Sequence, residues 1–234
     1  MIELKNIQFH YGMSKSFGIS DVSLNLEGGL VSCLLGKNGA GKTTLMSLAY
    51  GMLRPKSGEV LWNGERLVER NLTAFRREVA FSGEAWCPNC MTVERGMEAF
   101  SILYPTFDAK YFDELMEMGG VSGARNKYFG LLSKGEKVKT EIAFLLARRP
   151  KFLFMDEPLA NVDPVFKVDI LELLQRGVAE NETGILISTH LVDEISDMVD
   201  QIYVMDQGKM VIQGDRFEVL GDGEESLRDL FKKA

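Results

Sequence analysis

The amino-acid sequence predicts an α/β fold built around a mixed parallel sheet. Two short, continuously apolar runs, at residues 152–155 and 183–188, have the composition of strands that are buried on both faces. Between them, residues 165–178 carry apolar side chains at helical spacing. A strand, a helix and a second strand of these lengths predict two parallel strands joined by a crossover helix.

Composition indicates an ordinary globular protein. The 234 residues are 45% apolar and 26% charged, and 27 basic against 34 acidic side chains give a net charge of −7. This balance argues against a basic nucleic-acid-binding protein. No apolar run approaches the ~18 residues of a membrane span, and Glu3 stands where a signal peptide has its basic residues. We therefore expect a cytoplasmic protein that reaches any membrane through a partner.

Antiparallel strands are predicted near the N-terminus. Residues 2–9 alternate imperfectly, and residues 19–26 alternate cleanly, between apolar and polar side chains, as half-buried strands do. Residues 59–65 predict a further strand that ends in an Asn63-Gly64 turn. The core is therefore expected to carry an N-terminal antiparallel β subdomain.

From about residue 91 to residue 149 the pattern becomes helical, and Ser133 begins the third helical segment. We interpret this block as an α-helical subdomain inserted into the α/β core. The core resumes at residue 151 and ends in a hairpin at residues 201–213. The predicted division is 1–84 and 151–220 for the core, 85–150 for the helical subdomain and 221–234 for a C-terminal helical tail.

The strongest motif is a glycine-rich loop at residues 35–44. It fits the phosphate-loop pattern G-x-x-x-x-G-K-[ST] and lies between an apolar strand at residues 30–35 and a helix at residues 44–50. Glycines let such a loop bring its N–H groups close to phosphate oxygens, and the N-terminus of the following helix favours an anion. The loop residues predicted to bind phosphate are Gly36, Asn38, Gly39, Ala40, Gly41, Lys42, Thr43 and Thr44.

Side chains around this loop predict a site for a nucleoside triphosphate and Mg²⁺. Lys42 can reach the β- and γ-phosphates, Thr43 can bind Mg²⁺, and Thr44 can bond the α-phosphate. The first of the two apolar core strands is followed directly by Asp156 and Glu157. A carboxylate fixed at the end of a buried strand suits a Mg²⁺ ligand, and the acid after it can polarise an attacking water.

Further motifs resemble those of the ATP-binding cassette (ABC) ATPases in order and spacing. Residues 132–136 resemble the signature motif, residues 160–163 resemble the D-loop, and His190 resembles the switch histidine. Tyr11 lies where that family stacks an aromatic ring on adenine. The resemblance covers residues 2–220, and within the family the chain looks most like the cassettes of bacterial ABC-2-type exporters.

The resemblance implies a subunit that binds and hydrolyses ATP with Mg²⁺ for a transporter. Lys42 and Glu157 would act in catalysis, with Glu157 as general base, and His190 would sense the γ-phosphate. The family also implies a head-to-tail dimer of identical or different cassettes, docked on separate membrane (permease) subunits at the cytoplasmic face. Ser133 and Gly135 would complete the site of a second subunit, and Asp163 of the D-loop is assigned to nucleotide binding.

Three positions depart from the common pattern of the family. Glu84 falls where the family usually has Gln, and it could still hold Mg²⁺, although it donates no hydrogen bond unless protonated. Lys134 replaces the usual Gly, and Glu136 replaces the common Gln. Ser133 and Glu136 also form a helix capping box, which is compatible with the signature motif because a capped N-terminus is still an anion site.

The segment between the core and the helical block, residues 84–91, is the least typical of the family. Cys87 and Cys90 form a lone C-x-x-C, which we interpret as two unrelated thiols, with a metal or redox role as the alternative. Trp86 and the C-x-x-C loop are expected to line a groove for a helix of the membrane subunit. The alternative is that Trp86 packs inward under the helical block.

Two other functions are weighed against a transporter subunit. A soluble cassette could act as a nucleotide-gated switch on a non-membrane assembly, but such proteins often fuse two cassettes or carry long insertions. A phosphate-loop kinase or GTPase is disfavoured by the signature motif and by the adjacent acidic pair.

Overall fold

Two β-sheets form the framework of the chain. The computed structural model describes residues 1–12, 18–83, 87–190 and 195–221. The strands are β1 (Ile2–His10), β2 (Gly18–Leu26), β3 (Val31–Leu35), β4 (Ser57–Trp62), β5 (Glu65–Arg66), β6 (Val79–Phe81), β7 (Phe152–Asp156), β8 (Gly184–Thr189), β9 (Gln201–Asp206) and β10 (Lys209–Asp215). The α-helices are α1 (Lys42–Ala49), α2 (Glu69–Glu78), α3 (Val93–Leu103), α4 (Ala109–Met118), α5 (Lys134–Ala147), α6 (Pro164–Asn181) and α7 (Arg216–Leu220).

The larger sheet has six strands in the order β10-β9-β3-β8-β7-β6. Every adjacent pair from β9 to β6 is parallel. At the other edge, β10 pairs with β9 in the antiparallel direction. Strands β7 and β8 are joined through α6, as the sequence predicts. This mixed, largely parallel sheet places the ends of β3, β8 and β7 side by side.

The smaller sheet confirms the predicted antiparallel strands. Its order is β2-β1-β4-β5, and every pairing is antiparallel. Its apolar face packs on α1 and on one face of the larger sheet, in a core that includes Leu4, Val22, Met46 and Leu186. Helix α1 is thus held between the two sheets.

The turn between β9 and β10 connects both sheets to the glycine-rich loop. The Gly208 N–H donates to the carbonyl oxygen of Ala40 at 2.9 Å, and the Gly208 carbonyl accepts the Ser20 N–H at 2.8 Å. A Cβ atom on Gly208 would lie 1.8 Å from the Gly18 carbonyl oxygen. Only glycine fits this junction, because any other residue would collide with backbone.

The predicted helical block is present and forms a second core with the other face of the large sheet. Helices α3, α4 and α5 pack around aromatic rings, with Phe144 4.9 Å from Phe100 and 4.4 Å from Phe112 between ring centroids. Ile142, on the same helix as Phe144, is fully buried in this core. None of the helices in the described ranges combines the length and apolar composition that a membrane span needs.

Two short helices lie outside the sequence predictions. Helix α2 has ten residues, most of them polar, and only Phe75 is buried, with Leu72 packed beside the same core, so its apolar face is too narrow to identify the helix readily. Helix α7 has five residues and buries none of them. The predicted C-terminal tail falls almost entirely outside the described residues, which end at Gly221.

Candidate functional site

The candidate site lies where three neighbouring parallel strands end. Strands β3, β8 and β7 are adjacent, and they end at Leu35, Thr189 and Asp156. Side chains that follow parallel strands meet at one edge of a sheet, which is where ligands bind in open α/β folds. A cavity of about 340 Å³ lies there, lined by residues 37–44 together with Asp156 and Glu157.

The glycine-rich loop has the shape of a phosphate cradle. A Cβ atom on Gly36 would lie 2.5 Å from the Met205 carbonyl oxygen, so the loop passes too close to β9 for any larger residue. Gly41 is the N-cap of α1 and, lacking a side chain, provides no capping acceptor. The N–H groups at the start of α1 therefore face the cavity side without a capping side chain, as an anion site requires.

Lys42 places a buried positive charge beside the loop. It is 5% exposed, and its Nζ donates to the Gly36 carbonyl oxygen at 2.7 Å. The same Nζ lies 3.4 Å from Glu157 Oε1. That carboxylate oxygen is buried and accepts no hydrogen bond from the described residues. Glu157 Oε1 can therefore still accept a hydrogen bond from a donor such as a water molecule.

Asp156 and its neighbours form a set of oxygen ligands suited to Mg²⁺. Thr43 Oγ1 donates to Asp156 Oδ2 at 2.6 Å, and Ser188 Oγ donates to the other carboxylate oxygen of Asp156. Within the described ranges, no cluster of three or more His, Cys, Asp or Glu side chains could hold a metal by itself. The oxygen donors of Thr43 and Asp156 suit Mg²⁺, which in nucleotide sites binds one or two carboxylates together with phosphate oxygens and water.

The backbone fixes the position of Glu157. Its φ of 49° lies in the left-handed region, which a non-glycine residue adopts at some energetic cost. Its N–H is directed at Ser188, 3.0 Å from the carbonyl oxygen and 3.1 Å from Oγ. On the other side, His190 Nδ1 lies 2.7 Å from Glu157 Oε2. The predicted acid and the predicted histidine are therefore in direct contact.

Ser188 is the residue that the sequence predictions missed. Its hydroxyl donates to Asp156 and accepts the N–H of Glu157, so it contacts both acids. The available signal was a polar residue near the end of an otherwise apolar strand, two positions before His190. Such a residue is expected to carry a hydrogen-bonding duty, because buried polar groups are rarely without partners.

Tyr11 lies at the edge of the site. Its ring is 52% exposed, packs edge-on against Phe9 at 4.9 Å between centroids, and places its hydroxyl 3.2 Å from Thr44 Oγ1. An exposed ring face beside the loop is what stacking on a base requires. The predicted adenine contact remains a prediction.

Six described residues that were predicted for the site lie outside this cavity lining: Tyr11, Gly36, Ser133, Gly135, Asp163 and His190. Ser133 caps α5 in the predicted capping box with Glu136, and Asp163 caps α6 by accepting the Val165 N–H at 3.0 Å. The Lys134 ammonium donates to the Ala160 carbonyl oxygen at 2.7 Å. The signature and D-loop segments are therefore in contact with each other.

The segment between the core and the helical block is described only in part. Glu84 and Trp86 lie outside the described residues. Cys87 is 7% exposed, and its Sγ lies 3.4 Å from the position that a Cβ atom on Gly96 would occupy. Burial and the neighbouring Cys90 raise the pKa of the Cys87 thiol to about 11, so it is a poor nucleophile. Cys90 is exposed.

Glu141 contacts the start of this segment. It lies on α5, and its Oε1 accepts the Gly83 N–H at 2.5 Å. Burial raises the pKa of the Glu141 carboxyl to about 6, although the hydrogen bond from Gly83 opposes the shift. Glu141 is thus a carboxyl with a shifted pKa that belongs to none of the nucleotide-binding motifs.

A phosphate loop on a central parallel strand, with two acids at the end of a nearby strand, defines a phosphate-loop NTPase. A family model described as "ABC transporter" matches residues 19–160 of the chain. The chain belongs to the ABC transporter family, as one of its ATP-binding cassettes, whose reaction is ATP hydrolysis.

Curated relatives match nearly the whole chain. The lipopolysaccharide export system ATP-binding protein LptB of Haemophilus influenzae is 32% identical over 87% of this chain and 87% of its own length. The energy-coupling factor transporter ATP-binding protein EcfA1 of Mycoplasma mobile is 31% identical over 94% of this chain and 82% of its own. An ABC transporter ATP-binding protein of Methanosarcina acetivorans is 32% identical over 98% of this chain, which spans 39% of that longer protein.

Solved structures share the fold. The ATP-binding subunit of an ABC transporter has a TM-score of 0.87 at 24% identity and covers 100% of this chain and 98% of its own. A dimeric ATP-binding cassette in a post-hydrolysis state, bound to ADP and phosphate, has a TM-score of 0.80 at 22% identity and covers 92% and 98%. The predicted fold class is thus confirmed.

Glu141 predicts a measurable pH dependence of stability. Its pKa is raised on folding from the ordinary 4.5 to about 6, so the folded chain binds the proton more tightly than the unfolded chain. The resulting stabilisation is present at low pH and is lost as the pH rises through about 6. Gln does not titrate, so the free energy of unfolding of Glu141→Gln should rise relative to that of wild type by on the order of 1 kcal/mol between about pH 5 and pH 8.

Urea unfolding at each pH measures this difference. Glu98→Gln is the matched control, since Glu98 is exposed on α3, and its stability relative to wild type should stay constant over the same range. If the difference in unfolding free energy between Glu141→Gln and wild type were also constant over this pH range, it would contradict the raised pKa.

Proposed function

We propose that this chain hydrolyses ATP with Mg²⁺ at the end of β3, β8 and β7, and that it powers an ABC-2-type exporter through separate membrane subunits. The observation that carries the catalytic part is the contact of Asp156 with Thr43, next to Glu157 in contact with Lys42 and His190. Of these residues, Lys42, Thr43, Asp156 and Glu157 line the cavity beside the phosphate loop.

Each side chain has a role that its geometry suits. Lys42 and the loop N–H groups bind the β- and γ-phosphates, and Thr43 and Asp156 would hold Mg²⁺, which neutralises charge on the phosphate oxygens. Glu157 orients the attacking water and accepts its proton, because its Oε1 accepts no hydrogen bond from the described residues. His190 Nδ1 holds the opposite oxygen of the same carboxylate. Glu84 is proposed as a further Mg²⁺ ligand.

A second copy or a related cassette would complete the site. Ser133 and Gly135 lie at the N-terminus of α5, and neither lines the cavity of the same chain. The N-terminus of a helix is an anion site, so it suits the γ-phosphate held by the partner cassette. Asp163 at the start of α6 is proposed to act at the same dimer interface, and Tyr11 is proposed to stack on adenine. ATP-driven closure and its reversal by hydrolysis would then be the motor.

The exporter assignment depends on the signature segment of this chain. Lys134 in the signature motif and the segment at residues 105–108 resemble ABC-2-type cassettes. The curated relatives include an export cassette and an energy-coupling cassette at nearly equal identity, so identity alone favours neither subtype. We propose a location at the cytoplasmic face of the membrane, with no nucleic-acid partner. The alternative is a nucleotide-gated switch on a non-membrane assembly.

Glu157→Gln should retain ATP binding and lose hydrolysis, because the amide cannot accept the proton of the attacking water. The expected fall in kcat is ~10²–10⁴-fold. Lys42→Ala should instead weaken nucleotide binding itself, which titration with a fluorescent ATP analogue would measure. Glu98→Gln, an exposed glutamate on α3, is the control and should keep wild-type values of both. Near-normal turnover of Glu157→Gln would place the base elsewhere.

The same Glu157→Gln variant should dimerise with Mg-ATP, because one phosphate loop and one signature helix of a chain belong to different sites. The nucleotide-free chain should stay largely monomeric. Light scattering on both samples measures the mass directly. A monomer under saturating Mg-ATP would exclude closure of a homodimer and leave a different cassette as the partner.

Affinity purification from native membranes tests the transporter assignment. With the chain as bait, mass spectrometry should identify a polytopic membrane protein that is retained after detergent washing. Recovery of only water-soluble partners would contradict the exporter and favour the nucleotide-gated switch. A membrane protein that imports its substrate would overturn the export direction alone.

A further inference from the structure

Glu141 joins two parts of the chain that are far apart in sequence. It lies in the middle of α5, and its carboxylate accepts the N–H of Gly83, 58 positions earlier. Gly83 directly follows Ser82, whose N–H donates to the Phe154 carbonyl oxygen at 2.8 Å and so extends the β6–β7 pairing. The contact therefore connects α5 to the last paired position of β6.

Glu141 is partly buried, and the loss of hydration disfavours its charged form. Ile142, Phe144 and Leu145, which follow it on α5, are buried in the core of the helical block. Burial raises the pKa of Glu141 to about 6, which means that the environment opposes its charge. A carboxylate that is partly desolvated and still accepts a backbone N–H from a distant part of the chain is a candidate for a positioning role.

The two ends of the contact lead to the signature segment and to the edge that carries the two acids. Ser133 caps α5 eight residues or ~12 Å before Glu141 along the helix, and Gly135 packs directly against Phe166 of α6. Strand β6 pairs with β7, which ends at Asp156. A shift of α5 would therefore pull on Gly83 and on the sheet edge that carries the two acids.

We propose that Glu141 is a positioning residue that fixes Gly83, just after β6, relative to α5, and so couples the signature helix to the catalytic edge. The proposal rests on the ATPase function above. It concerns the placement of Gly83 and needs no contact between Glu141 and nucleotide.

A purely structural role makes a different prediction. If Glu141 only satisfied the Gly83 N–H, its loss would lower stability and leave kcat unchanged. A positioning role affects turnover more than nucleotide binding, since the phosphate loop and Lys42 lie between β3 and α1, away from β6 and Gly83. The amide oxygen of Gln can accept the same hydrogen bond, so Gln should restore what Leu or Ala removes.

The experiment compares Glu141→Leu, Glu141→Ala and Glu141→Gln with wild type. We expect Leu and Ala to lower kcat about tenfold, equivalent to loss of one hydrogen bond to a charged group, while the Kd for ATP changes by less than about twofold. Gln should return kcat to within about twofold of wild type. Thr140→Val is the matched control, because the buried Thr140 hydroxyl has no hydrogen-bond partner among the described residues.

Wild-type kcat for Leu and Ala, with or without a lower urea midpoint, would overturn the proposal. A Gln variant as slow as Leu would also overturn it, since the hydrogen bond would then not carry the effect. Glu141→Ala covers the case in which the larger Leu side chain prevents folding. An inactive wild-type protein would instead contradict the ATPase function, so the two failures are distinguishable.

Discussion

The site depends on the parallel pairing of β8 between β3 and β7. Because these strands run in the same direction, the phosphate loop, His190 and the two acids all emerge at one edge. Ser188 then bonds across the β8–β7 gap to both acids. If the order of the strands were different, the same residues could not meet. The catalytic geometry is therefore a consequence of sheet topology first and of side-chain chemistry second.

Much of this arrangement could be predicted from the sequence. The continuous apolar runs of β7 and β8 and the helical spacing of α6 identify these elements clearly, because fully buried strands and amphipathic helices restrict which side chains are tolerated. Asp156 and Glu157 could be found because acids directly after a buried strand are unusual. The phosphate loop could be found because four of its positions are chemically fixed.

Other parts could not be predicted, for identifiable reasons. Helix α2 buries one side chain of ten, so its pattern resembles that of a polar loop. The contact between Ser188 and the acids needs the register of two strands that are distant in sequence, and no local pattern encodes a register. Glu141 was missed although the helix that contains it was predicted. A single acid in a predicted helix is ordinarily assigned to the solvent face.

The turn at Gly208 has a consequence for how this sequence can vary. Gly208 is not itself a predicted ligand residue, yet its N–H donates to the carbonyl oxygen of Ala40 in the phosphate loop and its carbonyl oxygen accepts the N–H of Ser20 in the antiparallel sheet. Its Cα lies so close to the backbone of Gly18 that neither a side chain nor an inserted residue can be accommodated. The hairpin between β9 and β10 is thus a poor place for an affinity tag or a grafted peptide, despite being a surface turn. A change there would distort nucleotide binding from the far side of the loop.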